Sequence, residues 1–311
     1  MAYMTENSAG SGHISCARIA LGNGWTGVAA LSDTAGNRFT VTGWKECLAE
    51  PENLLSSVDE VKKAEGNRIV AARELTIDAQ KVSAVLKAQS GANSLREKII
   101  GIRRSRAMRN FRTATELCEN GISTALPLAA LEQRKKLLVT NSIFITECVR
   151  DCKQLYFFVR DDLPEKPHHG LAVKKQLSRQ IAEIFAQLHK ANLWHRDAKA
   201  SNFVTQRLSD GNLRVTLVDM DGIKRYRAKR TEQRFRGFAK LASTLLYSGE
   251  INTTDYLRTF GDYCTLTGID RSKQKQIFAE LGCKAIALRL LNLAKSTMKN
   301  NKKPKIPDDN D

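Results

Sequence analysis

The chain has 311 residues, 42% of them apolar, enough to build the cores of about two domains or lobes, which excludes a disordered or fibrous chain. Fifty Lys plus Arg against 33 Asp plus Glu give a net charge of +17, so the expected partners are anionic: phosphate ligands, an acidic membrane or nucleic acid. Seven scattered cysteines without a CxxC pair exclude a disulfide framework or zinc knuckle and fit reduced thiols in a cytoplasm, no run approaches the ~18 apolar residues of a membrane span, and Met1 to Gly24 does not read as a signal peptide.

In chain order, the first ~50 residues mix Gly, Ser and Thr with short apolar pieces, and predict one or two weak strands around a turn at Ala35-Gly36-Asn37. From Val58 to Lys87, apolar runs separated by Ala64-Glu65-Gly66-Asn67 and Asp78-Ala79-Gln80 predict three antiparallel strands. Ala107, Met108, Phe111, Ala114, Leu117 and Cys118 recur at helical spacing, and Asn120-Gly121 supplies a stop. The outer face of that helix is basic. Strands are expected at Lys136–Val139 and Ser142–Val149, before a Pro- and His-containing connection from Asp162 to Gly170. Leu177, Ile181, Ile184, Phe185 and Leu188 mark a second helix, and the chain from about Phe235 onward reads as helices ending in a frayed lysine-rich tail. The resulting organisation is an extension of open role at 1–52, a strand-rich lobe with one helix at 53–150, a mainly helical lobe at 151–298, and a basic flexible tail at 299–311.

The chemistry concentrates between 195 and 221. His195-Arg196-Asp197-Ala198-Lys199-Ala200-Ser201-Asn202 leads into a short strand at Phe203–Gln206; Ser209-Asp210-Gly211-Asn212 is a hairpin turn, and Leu213–Val218 returns to end at Asp219. Asn202 and Asp219 therefore lie at the same end of a hairpin, where cross-strand Cβ atoms are ~5 Å apart. An amide oxygen and a carboxylate at that separation suit Mg²⁺, a hard ion held by one or two carboxylates plus substrate phosphates. Asp197 is the candidate base or orienting carboxylate for an attacking hydroxyl, and Lys199 the candidate that neutralises charge on a transferring phosphoryl group. His195 to Asn202 matches the four fixed positions of the kinase catalytic loop H-R-D-x-x-x-x-N, and Asp219-Met220-Asp221 stands where a kinase has Asp-Phe-Gly. A single Asp or Asn caps helices and turns in many proteins; four matched positions followed by a hairpin and a second Asp point to phosphoryl transfer. His195 reads as a buried, backbone-bonding residue rather than an acid or base. The other half of an ATP site needs a strand lysine, and Lys87 ends the apolar strand Val82–Leu86. The Lys63–Arg68 loop is the candidate phosphate cover, although Gly66 is its single glycine.

The runs Asn53–Lys87, Ser105–Arg134, Ser142–Glu147, Leu188–Val204 and Leu217–Gly222 resemble the bacterial lipopolysaccharide core kinases, the heptose and Kdo kinases and their InaA-type relatives. The Asp-x-Asp at 219–221 and the GIxTxxP-like Gly121–Pro127 are the more specific parts of that resemblance. It implies an α+β, bilobal protein-kinase-like fold, with a small antiparallel-sheet lobe carrying one helix and a larger, mainly helical lobe. It also implies transfer of the γ-phosphate of ATP, with Mg²⁺, to a sugar hydroxyl of lipopolysaccharide core at the cytoplasmic face of the inner membrane. On the same resemblance Asp197 and Lys199 are catalytic, Lys87, Gly66 and Glu147 bind the nucleotide, and Asn202, Asp219 and Asp221 hold the metal. One departure stands out: Asn110 occupies the place where relatives often carry the helix glutamate that pairs with the strand lysine, and Glu116 lies about 240° further round the helix.

Between Asp221 and Phe235 there is no room for a regulated activation loop and no A-P-E, which excludes a eukaryotic-type protein kinase. That segment carries Lys224, Arg225, Arg227, Lys229, Arg230, Arg234 and Arg236, a patch suited to an acidic sugar or glycolipid acceptor. Arg103, Arg104, Arg106, Arg109 and Arg112 form a second patch suited to peripheral contact with an anionic membrane. The alternatives are a small-molecule kinase of aminoglycoside or choline type, whose acceptor sites tend to be acidic, and a catalytically silent kinase-like binding module. Nucleic acid is not an expected partner, because only 6% of residues are aromatic and no nucleic-acid-reading motif is present.

Overall fold

The structure, a computed structural model, describes residues 14–55, 58, 60–91, 104–163, 170–226, 232–246 and 248–301. Contacts divide the chain into two compact units: Met1–Asp151 with Thr216–Asp221, and Cys152–Val215 with Gly222–Asp311.

The first unit is built on β1 (Cys16–Ala20), β2 (Trp25–Ala30), β3 (Glu60–Glu65), β4 (Arg68–Ile77), β5 (Gln80–Ser90), β6 (Pro127–Lys135) and β7 (Leu138–Glu147). These strands make one sheet in the order β1-β2-β6-β7-β5-β4-β3. The three strands expected between 58 and 87 are present, and the turns joining them are tight. Glu65 pairs with Arg68 across a two-residue turn in which Gly66 takes φ +58, a conformation that a glycine adopts without Cβ strain. The Lys63–Arg68 segment, expected to be a loop, is therefore strand on both sides of that turn. Val82, Ala84 and Leu86 of β5 are buried on one face, which puts Lys87 on the other by simple alternation.

The 1–52 segment supplies more than the one or two weak strands expected of it. β1 and β2 pair across a turn at Asn23-Gly24, ahead of the expected 35–37 turn, and β2 pairs with β6 from Trp25↔Gln133 to Ala29↔Ala129. Helix α1 (Val41–Cys47) follows, with Thr40 as its N-cap accepting from Gly43 N. The Asp78 carboxylate in the β4–β5 turn accepts from Thr40 N at 2.6 Å and Thr40 Oγ1 at 2.7 Å. Trp25 and Trp44 are almost fully buried in the core beside Leu75, Ile77, Leu86, Leu128 and Ile145. Both indole N–H groups are satisfied, by Glu52 Oε1 at 2.6 Å and Ala30 O at 2.7 Å, as buried tryptophans require.

β6 and β7 lie earlier than expected. The strand anticipated at 136–139 instead begins at Pro127, where a continuous apolar run is buried on both faces and so shows no alternation to read. The connecting turn sits at Lys136, with φ +56 on a lysine, a residue that does not advertise such a turn. Helix α2 (Arg106–Glu119) packs on β6 and β7 with Ala107, Asn110, Phe111, Ala114 and Leu117 buried. Its N-cap Ser105 accepts from Met108 N at 3.1 Å, and Asn120 ends it as expected.

The second unit holds β8 (Cys152–Gln154), β10 (Phe203–Arg207) and β11 (Leu213–Leu217) in the order β11-β10-β8, and pairs β9 (Leu193–His195) with β12 (Ile223–Arg225). Its helices are α3 (Gly170–Lys190), α4 (Glu232–Leu245), α5 (Thr253–Thr267) and α6 (Arg271–Asn301). The expected face of α3, Leu177, Ile181, Ile184, Phe185 and Leu188, is buried. An aromatic core joins α3, α4 and α5: Phe185 stacks on Phe238 at 4.1 Å, and Phe238 meets Tyr263 at 4.7 Å. His189 is sealed into this core with Nδ1 2.7 Å from the Tyr263 hydroxyl. The helical reading of the chain beyond 235 holds, and α6 carries the helix through Asn301; residues 164–169, with most of the 162–170 connection and His168-His169, and residues 302–311 of the expected tail lie outside the described residues. All seven cysteines are free.

Candidate active site

In the second unit, the 195–202 loop is held from two sides. β12 pairs Ile223 with His195, and Arg196 N donates to Gly222 O at 2.8 Å. His195 is fully buried, and its Nδ1 accepts from Asp197 N at 3.1 Å, so it shapes the loop as its sequence position suggests. A Cβ on Gly222 would collide with the imidazole Nδ1 and Cε1; the glycine after Asp221 is there to admit His195. From α4, Thr244 Oγ1 accepts from Ala200 N at 3.0 Å. Asn202 Nδ2 donates to Asp197 O at 2.7 Å, which closes the loop on itself and turns the amide Oδ1 into the oxygen available to a hard cation.

The Asp197 side chain is 43% exposed and stands between two ammonium groups, Lys199 Nζ at 3.6 Å and Lys240 Nζ at 3.9 Å. Lys199 was legible from sequence. Lys240 was not: it lies 43 residues on, in α4, and a helical lysine has no motif to mark it. The turn that sends the chain back toward Asp219 is as expected, with Gly211 at φ +81 and Asp210 Oδ1 accepting from Asn212 N at 2.8 Å.

In the first unit, Asp219 and Asp221 are fixed by three separate elements. The Gly121–Pro127 segment grips the strand just before them: Leu217 N donates to Ser123 O at 3.0 Å, and Thr124 Oγ1 donates to Leu217 O at 2.8 Å. That is the physical work of the GIxTxxP-like run. From β5, Lys87 Nζ donates to Val218 O at 2.7 Å and lies 3.8 Å from Asp219 Oδ1. From α2, Arg106 Nε donates to Asp221 Oδ1 at 2.6 Å, Arg106 Nη2 donates to Asp221 Oδ2, and Asn110 Nδ2 donates to Asp221 Oδ1 at 2.9 Å. Asp221 N in turn donates to Asp219 Oδ1 at 3.2 Å.

This geometry settles the departure noted at Asn110. Lys87 is paired with Asp219, and the helix position that lacks a glutamate meets an aspartate instead. Burial pushes the Asp221 carboxyl up, but hydrogen bonds from Arg106 and Asn110 and the charges of Arg106 and Lys87 outweigh it and hold the group below the usual carboxylate range. Arg106 is thus turned inward, away from the outer arginine patch, where Arg104, Arg109 and Arg112 remain exposed; Arg103 lies outside the described residues.

The other expected nucleotide residues have local roles. Gly66 forms the β3–β4 turn. The Glu147 carboxylate accepts from Thr34 N at 3.2 Å and from Thr34 Oγ1, while its N–H donates to Leu126 O at 2.9 Å. In the patch after Asp221, Lys224 and Arg225 are exposed on β12, Arg234 lies over the Tyr226 ring at 5.3 Å, and Arg227, Lys229 and Arg230 lie outside the described residues. Arg234 is therefore part of the core edge rather than of an exposed basic patch.

Among the described residues no group of three or more His, Cys, Asp or Glu side chains is placed to hold a metal ion. Each unit offers a hard oxygen donor of the kind Mg²⁺ takes: in the first, the partly exposed Asp219 carboxylate, and in the second, the Asn202 amide oxygen. Among the described residues no helix is long and apolar enough to cross a membrane.

Residues 56–260 match the model of the lipopolysaccharide kinase (Kdo/WaaP) family. No curated protein sequence matches the chain. Among solved structures, one described as WaaP in complex with acyl carrier protein is 20% identical, covers 79% of this chain and 96% of its own, and superposes with a TM-score of 0.58. Two rhoptry kinases of Toxoplasma gondii follow, at 13% and 12% identity, each over 73% of this chain and 82% and 80% of their own, with TM-scores of 0.43 and 0.42. The WaaP likeness is one of fold, and it confirms the α+β, protein-kinase-like class read from the sequence.

Proposed function

Since the chain belongs to the lipopolysaccharide kinase (Kdo/WaaP) family and is a phosphotransferase acting on lipopolysaccharide, we propose that it transfers the γ-phosphate of ATP, with Mg²⁺, to a hydroxyl of a core heptose or Kdo. Support comes above all from the 195–202 loop, closed by the Asn202 to Asp197 hydrogen bond with Asp197 set between Lys199 and Lys240.

In this reading Asp197 accepts the proton of the attacking sugar hydroxyl, and the lysines beside it keep the carboxylate oriented and offset charge on the phosphoryl group. Lys87 binds the α and β phosphates, with the β3–β4 turn at Gly66 covering the nucleotide and Glu147 bordering it. Asn202 and Asp219 would hold Mg²⁺, whose bound charge stabilises the phosphate oxygens. Lys224 and Arg225 face the anionic acceptor, and the exposed Arg104, Arg109 and Arg112 meet the anionic head groups of the inner membrane's inner face.

The test is γ-labelled ATP and Mg²⁺ supplied to purified protein with a lipopolysaccharide core glycolipid. Label should enter the glycolipid with wild type and not with Asp197→Ala. Transfer only to cationic small molecules would replace the reading with the small-molecule kinase, and nucleotide binding with no transfer to any acceptor would replace it with a silent binding module.

A further inference from the structure

The second carboxylate of the Asp-x-Asp has the chemistry of a metal ligand but not the surroundings of one. Both Asp221 oxygens are taken by the Arg106 fork, Oδ1 also accepts from Asn110, and the Asn110 side chain is buried in the face that α2 packs against β6 and β7. Arg106 and Asn110 are one turn apart, so a single helical face grips a single carboxylate. A cation competing for Asp221 would have to displace a bidentate guanidinium, among the strongest hydrogen-bond partners a carboxylate finds in a protein. Asp219, two residues earlier, is different: its Lys87 partner stands at 3.8 Å, a charge neighbour rather than a hydrogen-bond donor.

The consequence concerns aim. Asp219 is reached by the backbone N–H of Asp221, and Asp221 is anchored to α2. Where a kinase couples its helix to the strand lysine through a glutamate, this chain couples the helix to the loop that carries the metal-binding aspartate.

We infer that Asp221 is a positioning residue, and that the Arg106–Asp221–Asn110 clamp sets the orientation of Asp219 toward Mg²⁺ and nucleotide. This rests on the proposed function, since it assigns Asp219 to the metal, and it removes Asp221 from the set of metal ligands expected from the sequence.

The decisive variant is Arg106→Ala, because the two roles of Asp221 predict opposite signs. The readout is binding of a non-hydrolysable ATP analogue titrated with Mg²⁺, measured by calorimetry on the full chain, with no turnover required. If Asp221 positions Asp219, Arg106→Ala raises the half-saturating Mg²⁺ about tenfold or more. Asp221→Ala then matches it, and the double variant is no worse than either single one. If Asp221 is a ligand, removing the guanidinium frees it, and the Mg²⁺ requirement falls or stays unchanged; that result overturns the inference. Arg106→Lys keeps the charge without the fork and guards against a folding defect: with a wild-type melting curve it should still raise the Mg²⁺ requirement, and wild-type Mg²⁺ binding in that folded variant would equally overturn the clamp. Wild-type protein that binds the nucleotide with no dependence on Mg²⁺ would overturn the proposed function together with the inference, an outcome distinct from a silent Arg106→Ala.

Discussion

Two aspartates in this molecule stand beside basic side chains, and they are used in opposite ways. Asp197 is 43% exposed, with its lysines at 3.6 and 3.9 Å; Asp221 is mostly covered, with a guanidinium fork and an amide closed on it. Long, exposed pairs contribute little to stability, so Asp197 supports little of the fold. A covered pair with hydrogen bonds on every oxygen is framework: removing one partner leaves the other charge stranded. Residue type and local charge are the same in the two loops, and distance with burial separates the carboxylate left exposed from the one that holds the framework.

The comparison is broken most directly at Asp197. Asp197→Ala should reduce phosphoryl transfer by roughly a thousandfold, with a melting temperature close to wild type because that side chain supports little of the fold; a large fall in melting temperature would put Asp197 with Asp221 in the framework. Gly222→Ala tests whether the two loops are tied through His195. The added methyl must displace the imidazole, so about 1–3 kcal/mol of stability should be lost, and kcat should fall while the KM for nucleotide changes little.

A third expectation concerns a buried group that takes no part in the chemistry. Burial, reinforced by the Arg234 guanidinium, lowers the His189 imidazole to about 3, whereas in the unfolded chain it titrates near ~6.5. Between those values the unfolded chain binds a proton that the native chain does not, so stability is intact above about 6.5 and declines as pH falls through the window. At pH 5 the loss should reach about 2 kcal/mol, read as a lower urea midpoint than at pH 7, and His189→Gln should flatten that slope. Smallest of all, Lys240→Gln should slow transfer by less than about tenfold and leave the melting temperature unchanged, since Lys199 still stands beside Asp197.

What could be read in advance was what is local. The 195–221 hairpin announced itself through its Asp210-Gly211 turn, and Lys87 through the apolar run before it, although it does not end the strand as expected: β5 continues past it to Ser90. The Arg106–Asp221 pair spans 115 residues, and no short-range pattern encodes such a distance; from sequence, Arg106 was one arginine in a basic row. The Thr34–Glu147 bond spans 113 residues and was hidden for the same reason. β6 was missed because burial on both faces erases the period of two, and α1 because its seven residues are too few to set up a helical repeat.

The family match begins at residue 56, but the fold does not. A fragment cut to 56–260 would lose β1, β2 and both core tryptophans, Trp25 and Trp44, and would leave β6 as the rim of the sheet. That rim begins with the apolar run Pro127–Leu131 and would carry a row of N–H and C=O groups newly exposed to solvent, a surface that recruits strands from other molecules. At the other end the cut would remove the C-terminal half of α5 and all of α6, and with them the Tyr263 hydroxyl that partners His189. The segment by which the protein is recognised is thus shorter than the segment by which it folds, and a trimmed version would be expected to aggregate before it could be tested as an enzyme.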